Sequence, residues 1–299
     1  MGAAKEEPPA VARQRVRRAL RKARLAAGLV QGEVARRLTW SLSKVQRIES
    51  GDVGVSVTDL RALLGIYGIQ DKAVIEQLAM DAAISRRQRW SVPAEYREHL
   101  TLGLRQLLQF EDQATAIRAY QPFTFPGVMQ TPATAQYLLS RFGEILTEED
   151  RKVRFDVRMQ RAKRIIDNER APTYLLMLDE AALSREVGGR AITAEQLEAS
   201  IELAQRPNIH IRIVKLSEGA TVGMLGPFTV LDLSRDDSED AVLYREAYGT
   251  DAVDHDPGVV AYYRAQFEAV WSHCYDEADS IRLVRAAAAA MRASMIRDA

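Results

Sequence analysis

Residues 31–50 read QGEVARRLTW SLSKVQRIES, and their spacing decides the fold of the first part of the chain. Val34, Ala35 and Leu38 mark one face of a short helix, and Leu42, Val45 and Ile48 recur at i, i+3 and i+6 in a second. Thr39-Trp40 makes the turn between them. Ser41 is a natural N-cap, because its side-chain oxygen can accept a first-turn N–H. Ala35 is small, so another helix can cross closely over it. Two helices so joined form a helix-turn-helix, whose second helix enters the major groove of DNA.

At about 100° per residue, Val45, Ile48 and Glu49 face the core of that second helix. Ser43, Gln46, Arg47 and Ser50 fall on the opposite side, with Lys44 between. Arg can bridge guanine O6 and N7, and Gln can bridge adenine N6 and N7. Duller roles stay open beside these. Ser41 is either a cap or a phosphate donor, Arg47 either a base reader or a solvated surface residue, and Trp40 either a packing residue or a wedge.

The neighbouring segments complete a compact helical head. A helix over Val11–Ala27 carries Val16, Leu20 and Ala23 on one stripe, and Gly28 ends it at positive φ. After Gly51, Ser56 or Thr58 caps a fourth helix bearing Leu60, Leu63, Leu64 and Tyr67, which Gly68 closes. Asp71 starts a fifth, with Val74, Ile75, Leu78 and Ala82. Residues 1–10 read as a disordered tail, 11–84 as the helical domain and 85–95, around SRRQRW and Val92-Pro93, as a linker.

Charge supports this division. Net charge is zero over 299 residues, yet residues 1–90 hold 17 Lys+Arg against 9 Asp+Glu and the remainder 24 against 32. Arg13, Arg15, Arg17, Arg18, Arg21, Lys22 and Arg24 run together without an acid, either as a phosphate-contacting strip or as a solvated face. Arg17 and Arg21 are the members expected at DNA.

Residues 96–299 read as a separate α+β domain with about four strands. The pattern is helical from Tyr96 to Tyr120, then broken by the Pro- and aromatic-rich YQPFTFPGVMQTP (120–132). Helices follow over Ala133–Phe142 and Glu148–Asn168. Thr173–Leu178, Ile209–Leu216, Phe228–Leu233 and Ala241–Ala247 are strands by apolar, β-branched content. Thr193 caps a helix over Ala194–Ala204, Pro257 opens a long amphipathic helix, and Ser280–Ile296 is Ala-rich and helical. Tyr120, Phe123 and Phe125 either frame a pocket or belong to the core.

Several function classes are weakly supported. One cysteine, Cys274, rules out an intrachain disulfide and fits a reducing compartment. No apolar run reaches the roughly 18 residues of a membrane span, and the first ten residues lack a signal-peptide core. A cytoplasmic, nucleoid-associated protein without membrane contact is expected. His99, His210, His255 and His273 show no metal-ligand spacing, and no phosphate-binding or nucleophile-elbow motif occurs. Asp179-Glu180 either serves acid–base chemistry or caps the next helix. No enzyme, catalytic residue, metal or cofactor is expected.

Two resemblances sharpen the reading. Residues 20–70, above all Gln31–Leu38 and SKVQRIESG (43–51), resemble the phage-repressor (Cro/cI, XRE) helix-turn-helix family. That resemblance implies a lambda-repressor-like five-helix head, a DNA contact for Gln31 (whose duller role is only to cap its own helix), base readers at Leu42, Ser43 and Arg47, and a buried ion pair between Arg24 and Glu49. The sequence departs from the family at Val30, where Ser or Thr is usual as N-cap, and at Thr39, where Gly is common. At the third departure, Leu42 either meets a thymine methyl or packs inward. PGVMQTPATAQYLL, LDEAALSREVGG, QLEASIELAQRPNIHIRIVKLSEGA and GPFTVLDL, spread over residues 115–275, resemble the DUF5753 domain of antitoxin-like regulators from actinobacteria. This implies a DNA-binding regulator acting as a homodimer on double-stranded DNA. Its body would mediate dimerisation and answer either a small DUF397-type protein or an unknown small-molecule effector. The alternative is an antitoxin-like protein that sequesters that small partner and binds DNA only for autoregulation.

Overall fold

In a computed structural model, residues 9–51, 53–86, 93–166, 171–218, 222–234, 240–247 and 250–297 are described. The chain divides into two compact units, residues 1–91 with 236–240, and 92–235 with 241–299. The disorder expected over residues 1–8 and most of the expected linker lie outside the described residues.

The first unit contains five helices: α1 (Pro9–Ala26), α2 (Gln31–Leu38), α3 (Leu42–Ser50), α4 (Val57–Ile66) and α5 (Lys72–Ser85). Pro9 and Ala10 therefore belong to a helix and not to a tail, because a proline in the first turn lacks only an N–H that has no helical partner anyway. The apolar stripes converge on one core made by Leu20, Val34, Ala35, Val45, Ile48, Leu60, Leu63 and Ala82, with Trp40 partly buried against it. Local side chains set the helix starts: Ser41, Ser56 and Asp71 each accept first-turn N–H groups. Glycines at positive φ, Gly28 and Gly51, end α1 and α3.

The turn between α2 and α3 does without glycine. Thr39 sits at φ +56°, the one positive-φ residue other than glycine among the described residues. Its N–H bonds Arg36 O at 3.2 Å and the Trp40 N–H bonds Ala35 O at 2.8 Å, the paired bonds of a Schellman ending. A β-branched residue there is strained. Thr39→Gly should therefore stabilise the first unit by about 0.5–1 kcal/mol, the relief being partly offset by glycine's greater unfolded-state freedom. Chemical denaturation checks this, and an unchanged or lower midpoint would contradict it.

The second unit is built on a six-stranded mixed sheet: β1 (Ala116–Gln121), β2 (Thr173–Asp179), β3 (Ile209–Val214), β4 (Phe228–Asp232), β5 (Ala241–Ala247) and β6 (Thr250–Asp254). The spatial order is β3-β2-β1-β4-β5-β6; β1, β2 and β3 run parallel, and β4, β5 and β6 add antiparallel. Among the described residues the longer helices of this unit are α6 (Leu102–Glu111), α7 (Pro132–Ser140), α8 (Glu148–Ile166), α9 (Arg190–Leu203), α10 (Pro257–Trp271) and α11 (Glu277–Arg297). In β2 residues on both faces are buried, Leu176 and Met177 alike, so that strand reads as a continuous apolar run. On one face Tyr120, Met177, Phe228 and Leu243 pack under Val260 and Phe267 of α10.

The four expected strands are present, and two more join them. Residues 116–120 are β1, not the end of a helix, and the acidic-flanked TDAVD of residues 250–254 is the edge strand β6. The helix expected to start at Ala194 begins at Arg190, because Gly188 and Gly189, at φ +77° and +87°, turn the chain earlier. Thr193 instead donates its hydroxyl back to Gly189 O at 2.9 Å. The acidic turn is structural: Asp179 Oδ1 accepts from Ala181 N at 2.9 Å, and Glu180 Oε2 from Leu216 N at 3.1 Å.

Candidate nucleic-acid interface

The surface of α3 follows from what lies beneath it. Val45 and Ile48 are driven inward by their apolar area, and Glu49 goes with them because Arg24 of α1 is there to meet it. Arg24 Nε and Nη2 donate to the two Glu49 carboxylate oxygens at 2.7 and 3.0 Å, and Nη1 donates to Leu29 O at 2.8 Å. Side-chain exposures of 10% and 4% make this a desolvated, bidentate pair. The hydrogen bonds to Glu49 hold the Arg24 pKa above its ordinary value against the cost of burial. Burial and the Glu49 charge push the Tyr67 phenol upward.

With that side fixed, Ser41, Leu42, Ser43, Gln46 and Arg47 face solvent together. Leu42 is 46% exposed, so of its two readings the outward one matches its position. Ser41 Oγ accepts from Lys44 N at 3.2 Å and so caps the helix. The Arg47 Nε–H donates to Ser43 O at 3.3 Å, which lays the guanidinium along the exposed ridge.

Three of the expected contact residues are engaged elsewhere. Arg17 is 9% exposed; its Nε–H donates to Glu49 O at 2.6 Å and Nη1 to Gln14 Oε1 at 3.1 Å. It closes the C-terminal end of α3 from inside and offers no face to DNA, a correction to the sequence expectation. A guanidinium satisfies a terminal carbonyl well, which no charge count reveals. Lys44 bonds Asp59 Oδ1 at 3.1 Å and lies 3.6 Å over the Trp40 ring, so it ties α3 to α4 and the turn. Gln31 donates its amide to Glu49 Oε2 at 2.8 Å, joining the N-terminus of α2 to the buried pair.

The basic run of α1 is likewise divided. Arg13, Arg17 and Arg24 turn inward, Arg15 lies 3.9 Å from Asp81, and Arg21 and Lys22 are exposed. Arg36 and Arg37, exposed in the last turn of α2 beside the turn, were not among the expected contacts. Their place at positions that the Val34–Ala35–Leu38 stripe leaves outside is the signal that would have found them. Val30 supplies no side-chain cap to α2; Glu33 in the first turn is the acid that complements that helix end.

Of the three aromatics weighed in the 120–125 loop, two belong to the core. Tyr120 and Phe125 are buried, Phe123 is 55% exposed beneath Arg185, and the cavity lined by Phe125, Thr134, Gln196 and Leu197 is about 20 Å³, space for a single water. Among the described residues no group of three or more His, Cys, Asp or Glu could hold a metal ion, and no helix is long and apolar enough to cross a membrane.

Comparison with known families matches both units. A model described as a helix-turn-helix domain covers residues 15–78, and one described as a domain of unknown function, DUF5753, covers residues 104–286, more than half of the chain. No curated protein and no solved structure matches the chain.

Proposed function

The chain belongs to the DUF5753 family, with a helix-turn-helix domain before the family's own, and from that premise we infer that it is a sequence-specific transcriptional regulator acting as a homodimer. The helix-turn-helix domain supports DNA binding. The observation that carries the finer reading is the polar ridge of Ser43, Gln46 and Arg47, solvent-facing on a helix whose other side is pinned by Arg24 and Glu49. Two such ridges about 34 Å apart would meet successive major grooves of a palindrome. The protein works without catalysis or cofactor, in the cytoplasm and at the nucleoid, and the second unit supplies dimer contacts and receives a signal.

A gel-shift titration against the protein's own promoter tests this. A shift that survives excess competitor DNA is expected, with affinity falling steeply as salt rises. Absence of any specific shift at low salt would sink the reading. Arg47→Ala should cost about 1–3 kcal/mol and relax preference at one base pair; equal loss on all sequences would make Arg47 a phosphate contact instead.

A second reading, the sequestering of a small DUF397-type protein, draws on one observation. Phe123, Leu216 and Met224 are 55%, 66% and 90% exposed where β1 and β3 end and before β4 begins, the same end of the sheet. Co-purification with the product of a neighbouring gene would favour it.

A further inference from the structure

Although acids outnumber bases in the second unit, one face of α8 gathers arginines that are not all paired with carboxylates. Arg154, Arg158 and Arg161 recur at i, i+4 and i+7 on α8 and share one side of that helix. Arg161 is matched: its Nε and Nη2 donate to Glu111 at 2.9 and 2.7 Å, a buried bidentate pair. Arg158 is not. Its Nη1 donates to the Gln130 carboxamide oxygen at 2.7 Å, and no carboxylate among the described residues lies within ion-pair distance of it. Arg154 spends its Nε–H on His99 O at 3.1 Å and likewise lacks a carboxylate partner.

The surroundings of Arg158 are built, not incidental. Gln130 is itself buried and donates to Phe125 O at 2.7 Å, so the acceptor that orients the guanidinium is fixed in turn. Gly127 backs onto the same group, and a Cβ there would stand 3.1 Å from Arg158 Nε. Charges facing it are Arg161 and Arg154, which oppose its own, and Glu246 with the Tyr244 hydroxyl from β5. Tyr244 already donates to Asp251 at 3.0 Å. Burial, then Arg161, drives the Arg158 pKa down. A group made this costly by its setting, with donors to spare, has the character of a ligand-binding cation.

We propose that Arg158 and Arg154, one turn apart on α8 with the Gly127–Gln130 segment as a wall, bind a small oxyanion, a carboxylate or phosphate group, in the second unit. The planar fork of a guanidinium suits either group by paired N–H donation. Occupancy would add a directly bonded counter-charge to the more distant one of Glu246 and tie α8 to the 127–130 segment. This site is separate from the DNA reading and stands or falls apart from it.

The test is thermal unfolding of the full chain at constant ionic strength, titrated with inorganic phosphate, with citrate and with chloride as control. A saturable rise in Tm with phosphate or citrate and none with chloride is expected; which of the two acts identifies the source of the oxyanion. Arg158→Gln should abolish that rise while leaving the ligand-free Tm equal or higher, because it removes an unbalanced charge. Arg47→Ala should retain the rise. No saturable response to either oxyanion, an undiminished response in Arg158→Gln, or a response lost in Arg47→Ala would each overturn the proposal. A ligand-free Tm that falls in both Arg158→Gln and Arg158→Met would make Arg158 a structural strut and overturn it too.

Discussion

Glu49→Ala should destabilise the helix-turn-helix unit by about 3–5 kcal/mol, the usual cost of stripping one partner from a buried ion pair. Arg24 would keep its charge at 10% exposure with two donors unmet. A unit of this size has a total stability of only several kcal/mol, so the first unit should be largely unfolded at ordinary temperature. Amide hydrogen exchange resolves this by element: protection in α1, α2 and α3 should collapse, while that of the central strands β1 and β2 is retained. Specific DNA binding should vanish with it. The paired change Arg24→Met with Glu49→Met separates stability from recognition. Apolar replacement of both partners should recover most of the protection, yet Gln31 would lose the oxygen that holds its amide at 2.8 Å. Affinity for the promoter should therefore stay below that of the parent protein. Full recovery of affinity would show that Gln31 needs no such anchor, and a single-variant loss under 1 kcal/mol would show that the pair is not desolvated.

The parts legible in the sequence are those where one local rule decides. The cap residues Ser41 and Asp71, the closing glycines Gly28 and Gly51, and the apolar pair Val45 and Ile48 each act within a few residues of themselves, and each is found in its role, whereas Leu42, read on the same stripe, stands outside the core. Strand β1 was hidden because Arg118 interrupts AIRAYQ. That arginine is accommodated by ion pairs with Asp232 and with Glu268 of α10, residues more than a hundred positions away. Strand β6 was hidden for the opposite reason. An edge strand pairs on one side only and tolerates the aspartates of TDAVD, so it carries little apolar signal. Arg17 shows the same limit within the candidate interface. Its neighbours in sequence make it look like part of a basic strip, but its role is set by a carbonyl 32 residues on. Charge alternation along a helix cannot reveal which cations a distant helix end will claim.

The second unit should respond as sharply to Glu111→Ala, with a loss of about 3–5 kcal/mol. Glu111 is 6% exposed on α6, and it is the carboxylate that matches Arg161 on α8. Burial works against the Arg161 charge, and the attraction of Glu111 outweighs it, so that the Arg161 pKa stands above its ordinary value. Removal leaves Arg161 without its bidentate partner beside Arg158, which has no carboxylate within ion-pair distance among the described residues, and the two cations repel at a buried site. The loss should therefore exceed severalfold that of Arg292→Ala, which breaks only the exposed, solvent-screened pair with Glu198. Urea denaturation followed by the near-ultraviolet signal of the second unit's tyrosines measures both. The double change Glu111→Ala with Arg161→Ala should cost less than the sum of the singles, because the second substitution removes the stranded charge that the first creates. Additive losses would mean that Glu111 and Arg161 act as two packing residues with no electrostatic coupling between them.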